Sequence, residues 1–229
     1  MKKRNSLFLL VILFMVPFQT YPQLFKKSKT VKVTVNQKQA SIFVNGEIIG
    51  QGAAEVTIPK NDCVKIEAYM SGYLIQSVTY CNDKKATNRP PKSKYFELTK
   101  DQAYEASISG ADIANIDIQI KIREGVTEEQ AYKRLHQLIN NYFDYIDVSD
   151  PKMGYLRTGW VLKSFTTSTI RTRVLVKKAF GDALTFKVKI ISEKAYGTGV
   201  SAKADEKYEE WDRLLRKYEG IFDEIKSRI

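Results

Sequence analysis

Residues 154–192 read GYLRTGWVLKSFTTSTIRTRVLVKKAFGDALTFKVKIIS. The Thr/Ser stretch at 166–168 and the turn Phe180-Gly181-Asp182 divide this segment into three runs, Gly154–Phe165, Thr169–Lys178 and Ala183–Ser192. Apolar side chains recur in these runs at every second position, the spacing of a strand with one buried face. The inward set is Leu156, Trp160 and Leu162, then Ile170, Val174 and Val176, then Leu184, Phe186, Val188 and Ile190. Connections this short join antiparallel neighbours, because a parallel crossover needs a dozen or more residues.

Alternation also fixes what faces the other way. If Val174, Val176, Val188 and Ile190 point inward, then Arg171, Arg173, Lys177, Lys187 and Lys189 share the opposite face, with Leu175 and Ile191 among them. Arg157 and Lys163 join if the first strand pairs in the register that buries Trp160. Guanidinium groups grip phosphate and carboxylate in bidentate fashion, so such a face suits an anionic polymer or an acidic protein. The alternative is a solvated face whose long side-chain stems cover apolar surface.

Outward from this segment, Ile116, Ile118, Ile120 and Ile122 alternate with polar residues as a further strand. Thr127-Glu-Glu-Gln130 is a capping box, in which the Thr hydroxyl and the Gln side chain satisfy free backbone N–H groups. The helix behind it carries Ala131, Leu135, Leu138, Ile139 and Tyr142 on one stripe. Downstream, Tyr208, Trp211, Leu215, Tyr218, Phe222, Ile225 and Ile229 follow at three- and four-residue steps, which predicts a charged helix over about 202–228. Leu214 and Ile221 widen its stripe, as docking on the chain's own sheet requires, while the seam spacing also allows a second copy to pair there. The expected domain, 116–229, is β-α-β-β-β-α: an antiparallel sheet covered by helices. With its helix, Asp150, Gly154-Tyr155-Leu156 opening a strand, and the Arg-rich strand and hairpin, 127–194 is similar to the domains of the barrel-assembly lipoprotein C. That resemblance implies a sheet gripped by a long helix and an accessory scaffold in outer-membrane assembly.

The N-terminal half reads as short strands. Val31–Val35 alternates, and Ser41-Ile-Phe-Val44 meets Asn45-Gly46, a hairpin cue because both residues tolerate φ > 0. Glu47–Ile49, Glu55–Ile58, Val64–Met70, Tyr73–Cys81 and Lys94–Leu98 follow, with Asn82–Ser93 of loop composition. The expected unit, 24–100, is a small antiparallel β-sandwich. If Val64, Ile66, Ala68 and Met70 face the core together with Leu74, Val78 and Tyr80, residue 66 pairs with 78 and 64 with 80. That register sets Cys63 opposite Cys81, within disulfide reach; two reduced, buried thiols are the alternative. Ala40-x-Ile-Phe-Val-Asn-Gly-x-x-x-Gly, then a strand and Gly72-Tyr73, resembles the PEGA domain over about residues 31–82. In place of the Pro-Glu-Gly-Ala tetrapeptide stands Asn36-Gln37-Lys38-Gln39-Ala40, and Gly52-Ala53-Ala54 replaces the usual Thr-Pro. The resemblance implies an adhesive or spacer module of envelope and surface proteins, with no catalytic residue to carry over. Residues 101–115, mixed small and polar around Ser109-Gly110, read as a linker.

Composition narrows the chemistry. The 229 residues hold 37 Lys and Arg against 26 Asp and Glu, one His and two Cys. So few soft ligands do not make a four-ligand zinc site, and a single His removes most imidazole-based nucleophile arrangements. P-loop, Rossmann, HExxH and GxSxG motifs are absent from the sequence. Met1–Phe18 (MKKRNSLFLLVILFMVPF) has a basic start and an apolar run the length of a secretory h-region, so 1–23 is expected to be a signal peptide, or an uncleaved anchor. Without a Cys at the end of that run, lipid attachment is not expected.

Removing the leader's three cations takes the formal charge from +11 to +8, which favours lipid head groups, acidic glycans or acidic proteins over nucleic acid, which an exported protein seldom meets. No later stretch is long enough to span a bilayer. The expectation is an exported, periplasmic or envelope binding or scaffolding protein, with no cofactor, metal or catalytic residue, and with envelope proteins or anionic polymers as partners. Two other roles stay open: an envelope-polymer hydrolase using loop carboxylates such as Asp147 and Asp150, and an assembly subunit docking through its terminal helix. His136 sits beside Lys133 and Arg134 and reads as solvated; Tyr73, Tyr80, Tyr95 and Tyr104 read either as a sugar-stacking surface or as ordinary sheet packing.

Overall fold

Val31, Val33 and Val35 alternate with polar residues, and all three are buried. They belong to β1 (Lys29–Val35), the first element of a computed structural model that describes residues 28–181 and 184–229. The signal segment read at 1–23 lies outside the described residues. Six more strands follow: β2 (Ser41–Val44), β3 (Glu47–Gln51), β4 (Ala53–Ile58), β5 (Cys63–Tyr69), β6 (Gln76–Cys81) and β7 (Ser93–Phe96). They form one hydrogen-bonded sheet in the order β6-β5-β2-β3-β4-β1-β7.

No described helix lies within this core, yet Ile42, Ile58, Ile66 and Phe96 are buried in one cluster with the three valines, so the two halves of the sheet cover one another. The fold line is Gly52. Only Gln51 and Ala53 pair across the β3–β4 junction, and Gly52 sits at φ +67°, where a Cβ would come within 2.6 Å of the Lys38 carbonyl oxygen. The hairpin cue holds: Asn45 and Gly46 have φ of 50° and 91°, and Val44 pairs with Glu47. The sandwich departs from a purely antiparallel one at β7, which lies parallel to β1. On the other flank, β5 and β6 pair in the expected register, 64 with 80 and 66 with 78. Cys63 and Cys81 fall opposite one another and form a disulfide, with Cα atoms 4.0 Å apart.

A second core begins where a linker was expected. Residues 101–115 carry α1 (Gln102–Glu105), whose N-cap Asp101 accepts from the Ala103 N–H, and β8 (Ser107–Ser109). Ala103 and Ile108 pack into the second core. Next come β9 (Ile118–Lys121), α2 (Glu128–Tyr142), β10 (Ile146–Asp150), β11 (Tyr155–Thr158), β12 (Val161–Ser164), β13 (Ser168–Lys178) and β14 (Thr185–Tyr196). The helix starts at the expected capping box, with the Thr127 hydroxyl accepting from the Gln130 N–H and the Gln130 side chain accepting from the Thr127 N–H. The sheet is organised on the long β13–β14 hairpin; β11, flanked by β10, and β12 pair with β13, while β9 pairs with β14. Leu156, Ile170, Val174, Val176, Phe186, Val188 and Ile190 are all buried beneath α2, as alternation requires.

Two expectations fail here. The run Gly154–Phe165 is not one strand. Arg157 pairs with Leu175, but Val161 pairs with Thr172, so the register slips by one residue at Gly159-Trp160. Such a slip turns every later side chain over. Trp160 and Leu162 therefore leave the core, Leu162 being 43% exposed. Gly159 permits the break, since a Cβ there would meet the Tyr145 ring at 2.7 Å.

The terminal helix over 202–228 is the second. That stretch forms short 3₁₀ turns, β15 (Tyr208–Glu210), β16 (Arg213–Leu215) and only one true helix, α3 (Ile221–Arg228). The apolar stripe is nevertheless buried from Tyr208 to Ile229. The open edge of β14 captures the chain: Tyr208 pairs with Ala195, and the Trp211 N–H donates to the Ser192 carbonyl. β16 then pairs with β8. Backbone pairing at a sheet edge, together with burial, outweighs helical spacing.

Candidate functional site

The strand register places all five expected cations on one face. Arg173 lies opposite Ile191, Leu175 opposite Lys189 and Lys177 opposite Lys187, while Arg171 lies opposite Glu193, all at odd positions of β13 and β14. Arg157 joins them from β11, and Lys121 from β9, which pairs with Thr185. Lys163 does not: the slip at Gly159 sets it opposite Ile170, on the other side.

These cations divide by partner. Arg171 is unavailable to a ligand, contrary to expectation, because its side chain is only 5% exposed. Its Nε donates to the Glu193 carboxylate at 2.5 Å, and one terminal nitrogen donates to Asp205 at 2.5 Å and to the Ala202 carbonyl at 2.7 Å. The guanidinium lies 4.2 Å from the Trp160 ring centroid and 4.1 Å from that of Tyr208, a cation stacked between two aromatic faces. No sequence pattern forecast this sandwich, because it needs Trp160 on the outer face. Arg157 is held by Asp147 through two hydrogen bonds, and Lys189 reaches Asp117 at 3.6 Å.

The remainder make no ion pair with a carboxylate among the described residues. Arg173 packs 4.0 Å from the centre of the Trp160 ring, and its buried Nε has no hydrogen-bond partner among the described residues. Burial, and then the nearby charge of Arg157, pull its pKa below the usual guanidinium value. Lys177, Lys187 and Lys121 make no ion pair among the described residues. Lys177 and Lys187 are direct cross-strand neighbours, an arrangement in which like charges repel.

The loop carboxylates proposed as acid–base groups have local duties. Asp147 holds Arg157, and one Asp150 oxygen accepts from the backbone N–H groups of Lys152 and Met153. Among the described residues no group of three His, Cys, Asp or Glu side chains is arranged to hold a metal ion. Of the four tyrosines, Tyr80 is buried in the sandwich core and Tyr95 is 57% exposed. Tyr73 and Tyr104 meet at a cleft between the two cores. No described helix is long and apolar enough to cross a membrane.

The sequence matches no protein-family model, and no curated protein shows significant similarity to it.

Proposed function

We propose that this protein is a non-catalytic, exported binding module of the cell envelope that holds an anionic polymer on the outer face of its second sheet. The observation that carries this reading is the Lys177–Lys187 pair, two ammonium groups in direct register that make no ion pair among the described residues. Cross-strand neighbours lie about 5 Å apart and same-face residues along a strand about 7 Å apart, so Arg173, Lys177 and Lys187, with Lys189 beside them partly offset by Asp117, form a lattice of positive charge. Regularly spaced phosphates or carboxylates on a flexible polymer bridge such a lattice and relieve its repulsion. Arg157 and Arg171, fixed by their own carboxylates, flank the face and add structure to it.

Export is supported by the basic and apolar leader and by a disulfide, a bond that persists in oxidising compartments. The sandwich, with its Asn-Gly hairpin, suits a PEGA-like spacer that presents the second domain at a distance. The competing roles find less support. Asp147 and Asp150 are already engaged, and the terminal stripe that would dock a partner is packed into the chain's own core.

The test is binding of the intact chain to polygalacturonate and to polyphosphate, with neutral dextran as control. The K177Q/K187Q variant, changed at surface positions, should lose at least tenfold in affinity. Raising salt toward 1 M, where screening shortens to about 3 Å, should abolish wild-type binding. Equal affinity of the variant and wild type would refute the assignment.

A further inference from the structure

A second site lies where the two cores meet, and its chemistry differs from that of the basic face. Between the β5–β6 turn and the end of β14 is a cavity of about 380 Å³, within the range of roughly 300–1,000 Å³ that small-ligand sites occupy. It opens beside a second hollow of about 220 Å³, and the two share Lys194, Tyr196 and Trp211. The shared residues make the two hollows adjoining parts of one groove.

The walls are aromatic. Tyr69 and Tyr196, 46% and 75% exposed, both line the larger cavity, one from each domain. Trp211 and Tyr104 lie deeper, and Ile75, 53% exposed, adds apolar surface to the rim. Exposed aromatic and aliphatic groups gathered at a polar cleft mark a recognition surface.

Polar groups converge between these rings. Lys194 Nζ lies 2.7 Å from an Asp101 carboxylate oxygen, and both side chains are largely buried. The other Asp101 oxygen caps α1, so this pair is held in place from below. The Ser71 hydroxyl donates to the Tyr104 hydroxyl at 3.1 Å, which leaves the Tyr104 O–H free to donate onward. Arg213 stacks on the Tyr104 ring at 3.6 Å and is occupied by Ser107, so it stiffens the wall.

Charge selects the ligand class. Asp101 and Asp212 balance Lys194 and Arg213 in the larger cavity, while Glu209 and Glu210 line the smaller one. A polyanion gains nothing in such a groove. Flat aromatic faces stack on the C–H faces of pyranose rings, and paired donors and acceptors between them match ring hydroxyls. We infer that this groove binds an uncharged oligosaccharide, with Tyr69 and Tyr196 as its stacking platforms.

The test is titration of the full chain with chitotetraose, cellotetraose and maltotetraose, followed by calorimetry and by Trp fluorescence. Saturable binding of at least one is expected. Tyr196→Ala and Tyr69→Ala, both surface changes, should each weaken it at least tenfold without moving the Tm, while K177Q/K187Q leaves it intact. Binding of none of the three, or binding unaffected by both tyrosine changes, would overturn the inference.

Discussion

Replace Arg171 by Met and one flank of the basic face loses its organiser. The guanidinium joins Glu193 from the neighbouring strand, and Asp205 and the Ala202 carbonyl from the segment after β14. It is also the filling between Trp160 and Tyr208. Breaking a buried ion pair leaves an uncompensated charge and costs about 3–5 kcal/mol. Here the cost falls at the lower end, since the Asp205 side chain is 80% exposed and is rehydrated, while that of Glu193 is 18% exposed and is not. A loss of about 3 kcal/mol lowers the Tm of a chain this size by about 6–12 °C.

Arg173 provides the internal control. It lies two residues along on the same face and stacks on the same Trp160 ring, but among the described residues it has no carboxylate partner and an unsatisfied Nε. Its replacement by Met removes a desolvated cation and should leave the Tm unchanged or raised. Thermal denaturation followed by circular dichroism at neutral pH measures both. An Arg171→Met protein melting within a degree of wild type, or an Arg173→Met protein as unstable as it, would refute this division of labour between two neighbouring arginines.

Removing the disulfide by Cys63→Ala/Cys81→Ala, or by reductant, releases a loop of separation 18 and should cost the sandwich about 3 kcal/mol, read by denaturant titration. Gly52→Ala puts a methyl group 2.6 Å from the Lys38 carbonyl at a φ that L residues rarely adopt; a loss on the order of 1–3 kcal/mol is expected in the same titration. Thr127→Ala removes the N-cap acceptor of α2 and should cost about 1 kcal/mol, whereas Thr127→Ser should not.

Tyr218 gives a pH test. Its hydroxyl is buried without a partner among the described residues, its ring stacks on Phe143 at 4.9 Å, and burial, then Asp144, raises its pKa above the ordinary phenol value. A folded-state pKa above the unfolded one contributes stability below about pH 10 that is lost as pH rises further. Tyr218→Phe should therefore leave stability at pH 7 unchanged or improved, and flatten the fall in Tm between about pH 9 and 11. An unaltered alkaline slope would contradict this.

What could be read from the sequence was what depends on period and local chemistry. The Asn45-Gly46 hairpin, the 63–81 register and the Thr127 capping box each need only residues close together in the chain. The face shared by Lys177, Lys187 and Lys189 followed from alternation within a single hairpin. What escaped depends on distant partners. The register slip at Gly159 answers to the Tyr145 ring, and it alone moves Trp160 from core to outer face. The 202–228 stretch carries helical spacing, yet its backbone groups are claimed by β14 and β8, which no local window contains. Of the cleft tyrosines, Tyr73 and Tyr104 were noticed, but the placement of Tyr69 and Tyr196, from two domains, around one cavity has no signature in the sequence.

The seam between β8 and β16 has a bearing on how the polypeptide matures. Ser107 and Arg213, which bond across it, are 106 residues apart, so the first partner waits unmatched through nearly half of elongation. The sandwich contains all its own strands and is free to close early. Its neighbour stays unzipped on one flank until the last strand emerges, and a truncation before Arg213 would leave that flank permanently raw.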